Sequence, residues 1–362
     1  MLAATVRESW PFQSGSPSSA SAAGRVPSAV PPTIAAHRHA EALVSYNAAR
    51  LESIRHLYPF DSHFLDVGGA RMHYIDEGAG PAIVFVHGNP TWSFYFRELV
   101  KGLCDRYRVI VPDHVGCGLS DKPAKYPYTL SKHADNLGLL IESLGLQEVT
   151  LAGHDWGGAI AFGWATRNVR RVRRLVVFNT AAFLGGRTPR RIRVCGWPMV
   201  GEVAVRGLNL FARAAIRMAC KRHERMTKDV AAGYLLPYDR YANRVAVLRF
   251  VRDIPHSPRQ ASHRELSRIE SSLNDLRGLP MIVFWGGQDF CFDDTFLAEW
   301  MRRFPDARVH RFADAGHYVV EDAHQRILAL LRDFLLSTDS PRSVQAPVDQ
   351  QGWSPAAPKS CR

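Results

Sequence analysis

One stretch constrains this chain's fold more than any other: "EVTLAGHDWGGAI", Glu148 to Ile160. A β-branched run, Val149 to Leu151, leads into Gly153-His154-Asp155-Trp156-Gly157, and the helix-compatible run "GGAIAFGWA" follows. Glycines on both sides of Asp155 let the backbone turn sharply from strand into helix. The central side chain then stands above the end of a sheet, at a helix N-terminus. An aspartate there can act merely as a helix cap. The glycine frame and the partners that follow later in the chain favour a chemical role instead.

The rest of the chain supplies a sheet for that turn. "AIVFVHG" (Ala82 to Gly88), "RVIVPD" (Arg108 to Asp113), "RLVVFNT" and "PMIVFWGG" are short, β-branched and bounded by turn residues. Helical patterns lie between them, at Ser93 to Leu103, Leu130 to Leu144 and Gly157 to Asn168. Alternating strands and helices predict an α/β fold, with a mostly parallel central sheet and helices on both faces. The rhythm breaks from about Ala181 to Ser271, where the sequence is helical, basic and poor in strands, and resumes at "ARVHRFADAGH". The predicted organisation is therefore a core of residues 41–180 and 272–336, with a helical cap of residues 181–271 inserted after the sixth strand. Residues 1–40 and 337–362 are rich in Ser, Ala and Pro, and are expected to be disordered extensions because they have too little apolar surface to bury. The first of them has few acids but lacks the continuous apolar core of a secretory signal.

The identity of the elbow residue points to a chemistry. A serine needs a base before it can attack, whereas an aspartate is already ionised near neutral pH. A carboxylate can displace a leaving group from saturated carbon and form an ester with the substrate. A histidine is then needed only afterwards, to activate water against that ester. His317, in "FADAGHYVVEDA", follows a strand and precedes a helix late in the chain, which matches the order nucleophile, acid, base. His87 and His154 read as structural neighbours. The acid that orients His317 comes from a strand end. Asn179 after the sixth strand cannot carry the charge. Asp289, in the turn "GGQDF" after the seventh, is the candidate, with Asp293 and Asp294 as weaker alternatives. The loop "VHGNPTWSFYF" offers a backbone N–H and the Asn89 amide, and Trp156 offers an indole N–H. Flanking Asp155, these two neutral donors suit a departing anion. No cofactor or metal is expected.

These residues resemble the haloalkane dehalogenase family of the α/β-hydrolase fold, over about residues 61–336. The matching segments include "HGNPTWSFYFREL", "PDHVGCGLSDKP", "GHDWGG", "RLVVFNTAAF", "GGQD" and "GHYVVEDA". The resemblance implies Asp155 as nucleophile, His317 as base, Asp289 as acid, and Asn89 with Trp156 as the halide-stabilising pair. The Asn–Trp pair with the acid after the seventh strand looks like the family's third subgroup, which also includes proteins resembling the β-lactone decarboxylases of bacterial olefin synthesis. The implied function is cleavage of carbon–halogen bonds, with decarboxylation of a cis-β-lactone as the alternative on the same residues. An epoxide hydrolase would need two tyrosine hydroxyls from the cap, for which Tyr234, Tyr238 and Tyr241 are available. A hydrolase-fold receptor without turnover is the rival from another class.

Charge adds a partner question. The chain carries a formal net charge of +12. Between Arg187 and Lys228 there are eleven Arg or Lys, opposed by Glu202 and Glu224. On one helix over "VAVRGLNLFARAAIRMACKR", Arg206, Arg213, Arg217 and Lys221 would fall on one side, and Leu208, Phe211, Ala215 and Met218 on the other. That pattern fits a solvated basic face, or docking to an acidic protein or an anionic membrane. No nucleic-acid motif accompanies the charge. The expected ligand is a small hydrophobic substrate, and the chain is expected to work as a homo-oligomer or in a multienzyme assembly. The six cysteines form no C-x-x-C pair, and a reducing cytoplasm fits best. No run of about 18 apolar residues marks a transmembrane helix.

Overall fold

The computed structural model describes residues 50–185 and 188–339. The expectation for residues 1–40 lies outside the described residues, as does that for the tail beyond Asp339. At its start the tail differs from expectation. A helix spans Val319–Ser337, and Arg174 donates from Nη2 to Asp339 Oδ1 at 2.6 Å.

Eight strands form one sheet: β1 (His63–Asp66), β2 (Arg71–Glu77), β3 (Ala82–Val86), β4 (Arg108–Pro112), β5 (Val149–His154), β6 (Val172–Phe178), β7 (Met281–Gly286) and β8 (Arg308–Phe312). Their spatial order is β1-β2-β4-β3-β5-β6-β7-β8. β2 pairs antiparallel with β1 and β4, and all other pairs are parallel. The central strands read as unbroken apolar runs because both of their faces are covered. Alternate residues go to opposite layers. Val84, Leu151, Val177 and Val283 pack with Leu137, Ile160 and Trp300 from the helices Leu130–Ser143, Trp156–Ala165 and Asp294–Arg303. Ile83, Ala152, Val176 and Ile282 pack with Leu99, Ile327 and Phe334 from Arg97–Lys101 and Val319–Ser337.

The carboxyl ends of β3, β5, β6, β7 and β8 all point to one edge of this sheet, where parallel sheets hold their ligands. Among the described residues, no strand lies between β6 and β7; that span is helical.

The single cap helix expected over residues 203–222 is broken. A π-helical segment, Gly201–Gly207, ends at Leu208, and an α-helix, Leu210–Met218, begins after Asn209 at φ 55°. Asn209 is buried and donates its side-chain amide to Tyr238 O at 3.1 Å. Arg244 donates to the carbonyls of Arg206 and Gly207 at 2.6 and 3.0 Å, satisfying the segment's carboxyl end. The two-sided pattern fails with the helix. Leu208 is exposed, and Arg206 is bound to Glu202 at 3.0 Å.

Candidate active site

Asp155 stands at the N-cap position of the helix Trp156–Ala165 without a capping bond from its side chain, at φ 54°, ψ −126°, a positive-φ conformation that costs a non-glycine residue energy. The surroundings hold it there: its N–H donates to Asn179 O at 3.2 Å, and its carbonyl accepts from the Thr180 hydroxyl. Two glycines make the turn sterically possible. A Cβ on Gly157 would lie 2.0 Å from Val86 O, and one on Gly88 would lie 2.2 Å from Asp155 Oδ1.

The two carboxylate oxygens of Asp155 have different surroundings. Oδ1 accepts from the Asn89 backbone N–H at 2.7 Å. Oδ2 lies 3.6 Å from His317 Nε2. On the other side of the ring, His317 Nδ1 lies 2.7 Å from Asp289 Oδ2. Asp289 is itself oriented, accepting from the Cys291 N–H at Oδ1 at 2.6 Å. The three side chains thus form a chain of contacts in the order 155, 317, 289. The weaker acid candidates are elsewhere: Asp293 caps the helix Asp294–Arg303, and Asp294 is bound by Arg311 at 2.9 and 2.8 Å. Asn179 does not carry charge but joins two strand ends. It accepts from the Gly286 N–H at 2.7 Å and donates to the Gly286 carbonyl at 3.2 Å.

Burial disfavours a charged His317 ring. The Asp289 charge, the close approach to Asp155 and the hydrogen bond to Asp289 outweigh that effect and raise its pKa to about 10. Burial likewise opposes a charged Asp155, yet contact with His317 brings its pKa below the usual carboxylate value. The resting state is therefore an ion pair, and removing the charge from Asp155 would loosen the hold on the His317 proton.

The neighbouring histidines, His87 and His154, bond to backbone groups around the site. His154 Nε2 donates to the His317 carbonyl at 2.9 Å, and burial lowers its pKa to about 3, so the ring is neutral. His87 Nδ1 donates to Gly88 O at 2.7 Å and its Nε2 accepts from the His114 N–H at 3.0 Å. Sequence reasoning missed Asp113. This buried carboxylate accepts from the N–H groups of Ser93 and Leu119 at 2.7 and 2.8 Å and contacts His73 Nδ1 at 2.8 Å. It ties the Asn89 loop to the turn after β4. Its signal was in "PDHVG", as an acid at a strand end.

A cavity of about 780 Å³ opens in front of Asp155 and Trp156. Phe183, Leu184, Ile192, Leu266, Phe292 and Phe296 are among its apolar walls, and Arg190, Arg193 and His256 line it as well. The Trp156 indole N–H has no acceptor among the described residues. Asn89 differs from expectation. Its side-chain amide donates one hydrogen to Val247 O of the cap at 3.2 Å, which leaves one N–H, and its Oδ1 is buried without a partner. The three cap tyrosines are all engaged away from the cavity. Tyr234 donates to Glu321, Tyr238 to Thr91 O and Tyr241 to Glu202, at 2.8, 3.2 and 2.9 Å. None lines the cavity, which removes the geometric basis for epoxide opening.

Residues 81–323 match the model of a family described as alpha/beta hydrolase fold. A cis-3-alkyl-4-alkyloxetan-2-one decarboxylase of Shewanella oneidensis is 44% identical over 81% of this chain and 94% of its own length. Haloalkane dehalogenase 2 of Mycobacterium tuberculosis is 33% identical over 76% of this chain and 95% of its own. Among solved structures, the haloalkane dehalogenase DbeA of Bradyrhizobium elkani superposes with a TM-score of 0.71 at 26% identity, covering 77% of this chain and 98% of that one.

Proposed function

Because the chain belongs to the α/β-hydrolase fold family, in the group that holds both oxetanone decarboxylases and haloalkane dehalogenases, we propose that Asp155 displaces a leaving group from saturated carbon, with alkyl-substituted cis-β-lactones as the substrate class. The observation that carries this reading is the asymmetry of the Asp155 carboxylate. Oδ1 is tied to Asn89 N–H at 2.7 Å, while Oδ2 lies 3.6 Å from His317, and Asp155 lines a cavity with both apolar and polar walls. Such a carboxylate is oriented for in-line attack through Oδ2, and needs no base to become nucleophilic.

On a β-lactone, attack at the ring carbon bearing oxygen forms a C–Oδ2 bond and breaks the ring C–O bond, which frees a substrate carboxylate. The electrons of the bond to that carboxylate then form the alkene. Carbon dioxide leaves, and the C–Oδ2 bond breaks to regenerate Asp155. No water and no net proton enter the cycle. The charged His317 ring stabilises the carboxylate released in the first step. Relief of ring strain drives the opening, and the apolar walls hold the alkyl chains.

The free Trp156 indole N–H supports a second activity on the same residues, cleavage of a carbon–halogen bond. Here the halide departs toward that donor. The ester on Asp155 keeps Oδ1 as its carbonyl oxygen, already at the Asn89 N–H. Esterification removes the Asp155 charge, so His317 releases its proton more readily and becomes a base toward water. The cytoplasmic location expected from the cysteines belongs to this same reading. Among the described residues, no helix is long and apolar enough to cross a membrane.

The test is a panel of long-chain cis-β-lactones and bromoalkanes offered to the purified protein, with alkene and bromide release measured and Asp155→Ala as the control. Alkene from the lactone, lost in the control, is the expected outcome. Turnover in a folded Asp155→Ala protein would overturn the covalent mechanism.

A further inference from the structure

The cap presents an apolar face where a helix normally turns polar residues to water. Over the consecutive segments Pro198–Val200 and Gly201–Gly207, Gly201 and Val205 are buried. Met199, Val203 and Leu208 stand outward, at 82%, 61% and 58% exposure. The π-helical pitch, marked by the bond from Leu208 N–H to Val203 O at 2.9 Å, places these three one turn apart on a single stripe. Trp197, Val194 and Leu210, close by in the chain, are exposed as well, at 60%, 37% and 49%. Contiguous exposure of large apolar side chains marks an interaction surface.

Cations frame the stripe. Arg190 and Arg193 precede it, on the short helix Arg190–Cys195, and Arg213 and Arg217 follow it one turn apart on Leu210–Met218. None of the four has an ion-pair partner among the described residues. The only acid between residues 190 and 221 is Glu202. It is neutralised by Arg206 and Arg252, each at 3.0 Å. The surface is thus an apolar stripe with a basic frame.

We propose that this face docks on an anionic lipid bilayer, with Trp197, Met199, Val203 and Leu208 entering the interface and the arginines held at the headgroups. Charge decides the occupant. A second copy would bring the same basic frame, and residues 1–49 and 340–362 both carry more basic than acidic residues. A bilayer supplies both an apolar layer and a negative surface. Position adds a reason: Arg190, Ile192 and Arg193, just ahead of the stripe, line the cavity that leads to Asp155. A bilayer-dissolved substrate would thus reach the cavity beside the docked face.

The test uses the full chain and does not read turnover, so it stands or falls separately from the proposed reaction. Flotation with vesicles of phosphatidylcholine alone is compared with vesicles that also contain phosphatidylglycerol. The protein is expected to float with the anionic vesicles and to be released by salt. Met199→Asp with Val203→Asp, and separately Arg213→Glu with Arg217→Glu, should each lower the partition about tenfold or more. All four positions are exposed, so the melting curves should stay unchanged. Failure of the full chain to float with anionic vesicles would overturn the proposal. So would apolar-pair binding equal to that of the natural sequence with displacement by soluble polyglutamate, which would assign the face to an acidic protein.

Discussion

Replacing Asp289 by asparagine should separate the two chemistries that the site can perform. The wild-type carboxylate faces two donors. Oδ1 takes the Cys291 N–H at 2.6 Å, and Oδ2 lies 2.7 Å from His317 Nδ1. An asparagine keeps its oxygen on the Cys291 N–H, because only an oxygen can accept there. Its NH₂ must then face Nδ1, and that donor forces the ring proton to Nε2. A ring protonated at Nε2 cannot take a proton from water. The wrong tautomer in such a triad costs about 10⁴ in rate, about 5.5 kcal/mol. That cost falls on ester hydrolysis alone, because attack through Asp155 Oδ2 needs no base. With a bromoalkane, quench-flow should show a burst of one bromide per site and then turnover slowed about 10⁴-fold. Intact-mass measurement should find the alkyl adduct on the elbow peptide. With a cis-β-lactone the cycle contains no water, so only the stabilisation by a charged imidazole is lost, about ten- to hundredfold. Equal losses on the two substrates would refute the argument, as would unchanged bromide turnover or a slow mutant without burst or adduct.

Three other outcomes follow from the structure. Trp156→Phe keeps the ring but removes the unpartnered indole N–H, and kcat/KM for bromoalkanes should fall by the equivalent of about 2–4 kcal/mol; rates unchanged on both substrate classes would make Trp156 only a wall of the cavity. Glu321→Gln leaves Arg97 charged and buried, where it is now held at 2.8 and 2.7 Å, and it weakens the acceptor of Tyr234 in the cap; urea unfolding should register a loss of about 3–5 kcal/mol, and a loss well under 1 kcal/mol would count against a buried ion pair. The His317 pKa is raised by folding, so its stabilising contribution is complete below about pH 6.5 and fades as pH rises toward about 10; urea midpoints across that range should drop less in His317→Gln than in the natural sequence, and parallel curves would contradict the ion pair.

The sequence by itself determined the elements of local origin. The elbow was legible because few backbones other than a glycine-framed turn carry a β-branched run directly into a helix. The same is true of β3 to β7, whose apolar runs and turn residues mark both their position and their alternation between two layers. Asp155 and His317 were legible because each sits at a strand end with its own turn chemistry. Tertiary structure decided whatever depends on loops that meet from distant parts of the chain. Asp289, Asp293 and Asp294 lie within six residues of one another; only the packing of β7 beside β8 brings the first to 2.7 Å from His317 and leaves the others to a helix cap and an arginine. The Asn89 amide was expected to face the leaving group, but Val247, 158 residues later, takes one of its hydrogens. The cap helix was misread because helical periodicity cannot register the left-handed Asn209, which is stabilised by contact with Tyr238, or the π-turn before it. Past that break Leu208 is exposed, although a single helix would have set it on the packed side, and it joins Met199 and Val203 as an outward apolar side chain.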